Sequence, residues 1–157
     1  EIGEICVRSD SVMVGYWRDP ENTAKAIRDG WLRTADMAYM DEERYIFIVG
    51  RKNDMIKRGG EKIYPQEIEE VLFDHPAVLE AAVCGVADPD WGESPRAYIV
   101  VRPGYQVSDK DLLAYCLDRL PTFKCPQDVV FLPELPKTSS GKITRTGLQQ
   151  LNVSSSN

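Results

Sequence analysis

One stretch of sequence decides the organisation of the chain: VGRKNDMIKRGGEKIYPQEIE, residues 49–69. Its first half carries four cations between Gly50 and Gly60, a pattern typical of a linker or of a loop that faces a polyanion. Its second half places Pro65 at the start of an amphipathic segment, which predicts a helix. The stretch therefore marks a boundary between a β-rich segment, residues 1–52, and an α+β module, residues 53–157.

The segment before the boundary is predicted to be mainly β. Glu4–Arg8 alternates polar and β-favouring residues and predicts a strand. Asp19 and Pro20 form an N-cap and first-turn pair, which predicts a short helix that Gly30 ends. Residues 31–49 predict a β-hairpin, because two extended runs flank an acidic turn. One short helix therefore interrupts an otherwise β-rich segment.

The segment after the boundary mixes helices with strands. An apolar stripe after Pro65 predicts a helix that His75-Pro76 ends. A capping-box pattern at Ser108 and Asp111 predicts a second helix. Runs of β-branched and aromatic residues predict strands at three places: Val78–Val86, Arg96–Val101 and Asp128–Leu132. This order lacks the strict β-α alternation of a parallel sheet, so the predicted fold class is α+β.

Composition restricts the function classes. With 43% hydrophobic and 28% charged residues among 157, the chain is typical of soluble globular proteins. Its net charge of -6 argues against nucleic acid as a partner, and its apolar runs are too short for a transmembrane segment. Four cysteines without C-x-x-C spacing and one histidine predict no metal site and a reducing, cytoplasmic location. The N-terminal sequence EIGEIC has neither Met nor a targeting pattern, which predicts a fragment of a longer polypeptide.

Two positions near the boundary carry candidate binding groups. Asp36 follows a small-residue step at a predicted strand end, where its carboxylate could accept two hydroxyl hydrogens of a sugar or could cap a turn. Arg51 offers a permanently charged fork for a ribose or phosphate oxygen. The alternative for Arg51 is a solvated ion pair with Asp54, worth less than about 1 kcal/mol.

Two glycine-containing segments carry further candidates. Gly59 and Gly60 allow a backbone to approach a ligand closely, and the neighbouring Lys57 suits an anion; a plain turn is the alternative. Lys142 lies in a polar loop that is not a Walker A loop, because Ile143 occupies the place of Ser or Thr. This lysine is either an ordinary surface residue or a charge that closes over a reacting phosphate or carboxylate, worth about 3–4 kcal/mol.

Six short segments are weak signals singly but specific in this order. They are Gly3-Glu4-Ile5, Gly15-Tyr16, Asp29–Asp36, Val49–Lys57, Gly59–Glu69 and Leu135–Arg145. Together they resemble the C-terminal third of the adenylate-forming superfamily, specifically its acyl-CoA synthetase branch. The resemblance covers nearly the whole chain.

The resemblance implies a ligase that works in two steps. A carboxylic acid, fatty or aryl, and ATP with Mg²⁺ would give an acyl-adenylate and pyrophosphate, and the thiol of coenzyme A would then displace AMP. By the family pattern, Asp36 would hold the ribose hydroxyls and Arg51 the same ribose or its phosphate. Lys142 would be the catalytic residue that bridges the carboxylate and the α-phosphate during adenylation.

The resemblance also implies a hinge at Lys52 and Asn53. Residues 1–52 would end the large AMP-binding domain, and residues 53–157 would be a mobile lid domain that offers one face to each half-reaction. The face for coenzyme A would comprise Lys57, Gly59, Gly60, Glu61, Trp91 and Phe123. The partner of this segment would be the N-terminal domain of the same enzyme, so the segment alone is expected to be inactive.

Three positions depart from the family pattern. Ala35 and Arg44 stand where the family usually has Gly, and Asn53 replaces the usual hinge Asp or Lys. Two alternatives stay open: an adenylation domain that loads a carrier protein, and, for this segment alone, a non-catalytic module that binds nucleotide and coenzyme A.

Overall fold

The computed structural model describes residues 1–154 of the chain, with side chains described up to residue 151. The chain divides into two compact units, Glu1–Asn53 and Asp54–Asn157. This division falls one residue after the predicted boundary. Whether the units are the end of a large domain and a lid stays a prediction.

The first unit is a four-stranded antiparallel sheet with one short helix. Its elements are β1 (Gly3–Val7), α1 (Pro20–Ala26), β2 (Ile27–Arg28), β3 (Trp31–Met40) and β4 (Ile46–Arg51). The central strand is β3, where Met37 pairs with Glu4 of β1 and with Gly50 of β4. The predicted hairpin of residues 31–49 is present as the β3–β4 pair.

The helix of the first unit is shorter than predicted. Asp19 caps it as expected, since its carboxylate accepts from the backbone N–H of Asn22 at 3.0 Å. The helix ends at Ala26, however, so the prediction that Gly30 ends it is wrong. Asp29 and Gly30, with φ of 52° and 77°, instead form the two-residue turn between β2 and β3. Two left-handed residues favour such a tight hairpin.

The second unit packs three helices on a five-stranded sheet. Its elements are β5 (Ile56–Arg58), β6 (Glu61–Ile63), α2 (Pro65–Phe73), β7 (Val78–Asp88), β8 (Gly92–Val101), α3 (Asp109–Leu117), β9 (Asp128–Phe131) and α4 (Arg145–Ser154). The strand order is β6-β5-β8-β7, and β9 pairs with β8 in parallel. Interpreting residues 50–60 as a linker or loop was wrong in part, because this stretch contains β5 and leads into a tight β5–β6 hairpin.

Alternation along β7 gives the second unit a core on each face of its sheet. Ala81 and Val83 lie in one buried cluster with residues of α2 and α3. Ala82 and Cys84 lie in a second cluster that contains Leu148 of α4. Successive side chains of a strand point to opposite faces, so this one strand joins two apolar layers. The α+β fold class predicted from the element order is confirmed.

The first unit buries very little. Within Glu1–Asn53, only Ala38 and Gly50 are buried, while Tyr45, Ile46 and Phe47 are 64%, 59% and 44% exposed. A four-stranded sheet with this much open apolar surface has no independent core. Among the described residues, no helix has the length and apolarity needed to cross a membrane.

Candidate functional site

Asp36 and Arg51 meet across the β3–β4 ladder. The two residues are direct partners in the strand register, and Arg51 Nε donates to Asp36 Oδ1 at 2.8 Å. Arg51 Nη2 also approaches the carbonyl oxygen of Thr34 at 3.4 Å. The carboxylate and the guanidinium thus form one polar group at a strand end, with side chains 31% and 60% exposed.

The turn that aims Asp36 is held in an unusual backbone conformation. Ala35 has a φ of +62°, in the left-handed region that favours glycine. Two acceptors fix this turn: Glu4 Oε1 accepts from Ala35 N at 3.2 Å, and Thr34 Oγ1 accepts from Asp36 N at 3.0 Å. The turn therefore holds Ala35, which stands where the family usually has Gly, in a conformation that favours glycine.

Glu4 connects this turn to the predicted hinge. Its Oε2 accepts from Lys52 Nζ at 3.0 Å and from Arg33 Nη2 at 2.6 Å. Hydrogen bonds from Lys52 and then Arg33 hold the pKa of the Glu4 carboxyl below its ordinary value, outweighing burial. Lys52 begins a single 3-10 turn that contains Asn53, and both residues are exposed.

A cavity of about 870 Å³ opens within the first unit beside this group. Its lining includes the aromatic residues Tyr16 and Trp17. Four cations and two acids also line it: Lys25, Arg33, Arg51, Lys52, Glu4 and Asp19. The excess of cations suits an anionic ligand, and the aromatic rings suit a planar one.

In the second unit, Gly59 and Gly60 form the two-residue turn of the β5–β6 hairpin. Both have positive φ, 56° and 92°, as tight hairpin turns require. The glycines differ in their surroundings: a Cβ on Gly59 would lie 2.7 Å from the Trp91 ring, whereas one on Gly60 would meet nothing within 4 Å. Gly59 N also donates to the Trp91 carbonyl oxygen at 2.9 Å. The Trp91 ring thus packs directly against the backbone of Gly59.

Arg58 joins the remaining members of the predicted coenzyme face. Its Cζ lies 5.9 Å from the centroid of the Trp91 ring, and its Nη1 donates to the Phe123 carbonyl oxygen at 2.9 Å. Lys57 N donates to Glu93 Oε2 at 2.8 Å, while Glu61 pairs in register with Arg58. Trp91 and Phe123 remain 54% and 39% exposed. The structure thus brings Lys57, Gly59, Glu61, Trp91 and Phe123 around one cation.

A short hydrogen-bonded loop carries Lys142. The backbone N–H of Lys142 donates to Thr138 Oγ1 at 3.2 Å, and the backbone N–H of Thr138 donates to the Lys142 carbonyl oxygen at 2.8 Å. Lys137 and Ile143 form an antiparallel β-bridge across the loop. The ammonium of Lys137 pairs with Glu80 at 2.5 Å. That of Lys142 has no ion-pair partner in the described part of the chain, and the residue is exposed. Of the two loop lysines, Lys142 is therefore the one available to a ligand.

Sequence reasoning assigned no organising role to three residues that hold these groups together: Glu4, Arg58 and Arg145. Each acts through partners distant in sequence; Arg145, for example, bonds Glu69, 76 positions away. Local patterns carry no signal for such pairs, although Glu4 and Arg145 both fall inside segments quoted for the resemblance. Among the side chains of residues 1–151, no cluster of three or more metal-ligating groups occurs.

Three of the four cysteines are buried and contribute no nucleophile to these groups. Cys84, Cys116 and Cys125 are buried and only Cys6 is exposed. Burial raises the pKa of the Cys116 thiol to about 11 and raises those of Cys84 and Cys125. At neutral pH the buried thiols are therefore protonated and unreactive.

Comparisons with known proteins relate these groups to a family. Residues 67–142 match the family described as AMP-binding enzyme C-terminal domain. A long-chain-fatty-acid–CoA ligase of Bacillus subtilis (strain 168) is 47% identical over 148 residues, which are 94% of this chain and 26% of the ligase.

Two solved structures share the fold. The o-succinylbenzoate CoA synthetase of Bacillus subtilis, in complex with an acyl-adenylate intermediate, is 40% identical with a TM-score of 0.90, over 95% of this chain and 30% of that one. The amide bond synthetase McbA of Marinactinospora thermotolerans is 38% identical with a TM-score of 0.90, over 97% of this chain and 31% of that one. The chain spans less than a third of the length of these three relatives.

Proposed function

Because the chain belongs to the adenylate-forming superfamily, as the C-terminal portion typical of its acyl-CoA ligases, we propose that it is part of an ATP-dependent acid–thiol ligase. In the first step, a carboxylate oxygen of the acid attacks the α-phosphorus of ATP, and pyrophosphate leaves. In the second, the thiol sulfur of coenzyme A attacks the acyl carbonyl carbon, loses its proton, and AMP leaves. The first step serves to create a good leaving group for the second.

The observation that carries the proposal is the Asp36–Arg51 pair on β3 and β4. In the proposed enzyme, Asp36 accepts the hydrogens of the ribose hydroxyls and Arg51 supports the same ribose or its phosphate. The cation-lined cavity beside the pair suits the negative charge of a nucleotide. Mg²⁺ would enter as the partner of the ATP phosphates rather than on a side-chain cluster of the described residues.

Separate parts of the second unit serve the two steps in this proposal. Lys142 contributes its ammonium to the carboxylate and the α-phosphate during adenylation, a role that its lack of a described ion-pair partner supports. The hairpin turn at Gly59-Gly60, with Lys57, Glu61, Trp91 and Phe123 near it, receives the pantetheine arm and nucleotide of coenzyme A. Lys52 and Asn53 act as the hinge of this lid, and the first unit ends the AMP-binding domain.

The nature of the acid is proposed only as a class, fatty or aryl. One relative is named for long-chain fatty acids and another for o-succinylbenzoate. The proposed setting is the cytoplasm, since the four cysteines are free thiols. A panel of acids of graded chain length and aromaticity, assayed with the full-length protein, identifies the substrate.

A second acceptor deserves a direct test, because one structural relative is named as an amide bond synthetase. The alternative left open by the sequence is transfer to a carrier protein, whose pantetheine thiol is chemically the same as that of coenzyme A. Supplied acyl-adenylate should be consumed with coenzyme A as acceptor. Consumption only with a carrier protein or an amine would replace the acid–CoA ligase assignment.

ATP–pyrophosphate exchange tests the proposed function. The full-length protein should catalyse exchange in the presence of its acid, whereas the segment Glu1–Asn157 alone should not, since in the proposed enzyme the acyl pocket and the phosphate-cradling loop belong to the large domain outside this segment. Exchange by the isolated segment would contradict the proposal that adenylation also needs the large domain outside it. Absence of exchange by the full-length protein with every acid of the panel would overturn the activity.

A further inference from the structure

Arg145 is the centre of an ion-pair network in the second unit. Its Nε lies 2.9 Å from Asp54 Oδ2, and its Nη1 lies 2.7 Å from Glu69 Oε1. Nη1 also donates to the carbonyl oxygen of Val83, whose N–H donates to Glu69 Oε1 at 2.8 Å. One guanidinium therefore joins the first residue of the unit, helix α2 and strand β7.

The network is more enclosed than an ordinary surface ion pair. The side chains of Arg145, Asp54 and Glu69 are 26%, 30% and 16% exposed. Burial opposes the charge of Arg145, but its bonds to Glu69 and Asp54 outweigh that effect and raise its pKa. Removing one member would leave the others partly buried without their partner, which is costly. The network thus holds its members in one geometry.

The position of Arg145 in the chain links this geometry to Lys142. Arg145 is the first residue of α4 and comes three residues after Lys142. The intervening Thr144 donates its backbone N–H to the Pro136 carbonyl oxygen at 2.9 Å and, through Oγ1, accepts from Gly147 N at 2.9 Å. These contacts close the foot of the loop, whereas the backbone of Lys142 itself bonds only within the loop, to Thr138.

We propose that Arg145 is a positioning residue for Lys142, whose loop it fixes by tying the foot of that loop to Asp54, Glu69 and the Val83 carbonyl. This inference rests on the proposed function, in which Lys142 acts in adenylation. In the proposed enzyme, Arg145 contacts neither ATP nor the acid and acts only through Lys142. A misplacement of a reacting group by about 1 Å can cost about 10²-fold in rate, so loss of the anchor should affect adenylation strongly.

The two half-reactions of the full-length enzyme separate positioning from folding. Arg145→Gln should lower the kcat of ATP–pyrophosphate exchange by about 10²-fold and leave thioester formation from supplied acyl-adenylate within about twofold of wild type. Arg145→Lys keeps the positive charge but loses the contact with all three partners, so its rate of ATP–pyrophosphate exchange should lie between those of wild type and Arg145→Gln. Arg102→Gln is the matched control, because Arg102 also donates to backbone carbonyls, of Pro76 and Val78, in the same unit; it should leave both half-reactions unchanged.

A double-mutant cycle identifies the route of the effect. If Arg145 acts through Lys142, Arg145→Gln should cause no further loss of exchange in a Lys142→Ala background. Full additivity, or an equal loss in both half-reactions, would overturn the inference and make Arg145 a structural residue only. Wild-type exchange by Arg145→Gln, with exchange lost in Lys142→Ala, would overturn this inference alone. Wild-type exchange by Lys142→Ala would overturn both the inference and the proposed role of Lys142.

Discussion

Asp36 and Arg51 stand opposite each other in the β3–β4 ladder, with Arg51 Nε donating to Asp36 Oδ1 at 2.8 Å. This hydrogen bond fixes the orientation of the Asp36 carboxylate. Because both side chains are partly exposed, at 31% and 60%, the ion pair contributes little to folding. In the proposed enzyme, the pair presents a fixed acceptor and a fixed cation to the nucleotide at one strand end.

Asp36→Asn should therefore separate binding from stability. We expect the free energy of unfolding to change by less than about 1 kcal/mol, while the KM for ATP of the full-length enzyme rises about tenfold, from loss of a charge-assisted hydrogen bond. Steady-state kinetics and a denaturant titration measure the two quantities. Asp41→Asn is the control, since the Asp41 carboxylate accepts from Tyr45 N in the turn between β3 and β4. An unchanged KM for Asp36→Asn would refute its role at the ribose.

Ala35→Gly should stabilise the protein. The φ of +62° costs a residue with a Cβ about 1–2 kcal/mol, whereas glycine costs about 0.5–1 kcal/mol in unfolded-state entropy, so a net gain of about 0.5–1 kcal/mol is expected. Thermal unfolding of the full-length protein measures it. Ala24→Gly, inside α1, should instead destabilise by about 0.5–1 kcal/mol. Destabilisation by both changes would contradict the strain at Ala35.

Glu4→Gln should change how stability depends on pH. Lys52 and Arg33 hold the pKa of Glu4 below 4.5, so the unfolded chain takes up the proton more readily than the folded chain. The advantage of wild type over Glu4→Gln is then full above pH 4.5 and disappears as the pH falls through the folded-state pKa. Denaturant titrations across this pH range measure the difference in the free energy of unfolding. Glu21→Gln is the control, because Glu21 forms an exposed ion pair with Lys25 on helix α1. Parallel curves for wild type and Glu4→Gln at all pH values would be the contrary result.

Gly59→Ala and Gly60→Ala form a matched pair. Both place a Cβ at positive φ, but only the Gly59 Cβ would lie 2.7 Å from the Trp91 ring. We expect Gly59→Ala to displace Trp91 and raise the KM for coenzyme A about tenfold more than Gly60→Ala does, a difference of about 1.4 kcal/mol. Thioester formation from supplied acyl-adenylate measures it. Equal effects of the two changes would argue against a role for Trp91 at the coenzyme.

Elements with strong local signals were predictable from sequence. The capping box at Ser108 and Asp111 is present, with Asp111 N donating to Ser108 Oγ at 3.2 Å. The α2 helix begins at Pro65 as predicted. Both features depend only on residues within one helical turn of each other, so the local sequence is sufficient to predict where each helix begins.

Features that depend on tertiary partners escaped prediction. The Gly59-Gly60 turn was open to two interpretations, because nothing local indicates that β5 pairs with β8 at Gly92. The predicted helix after Pro20 is longer than the observed one, because Ile27 pairs with Leu32 in the sheet instead of continuing the helix. At the site, local patterns made Asp36, Arg51 and Lys142 candidates and the resemblance gave each a role, whereas their supports Glu4 and Arg145 became visible only through contacts across the fold.

In the proposed enzyme, Lys142 of this chain acts in the first half-reaction only. The direct test compares Lys142→Ala with Lys137→Ala, a lysine of the same loop whose ammonium is engaged by Glu80. In the full-length enzyme, Lys142→Ala should lower ATP–pyrophosphate exchange by about 10²–10³-fold and leave thioester formation from supplied acyl-adenylate intact, while Lys137→Ala leaves both near wild type. Equal loss in both half-reactions, or exchange that persists without Lys142, would contradict the account.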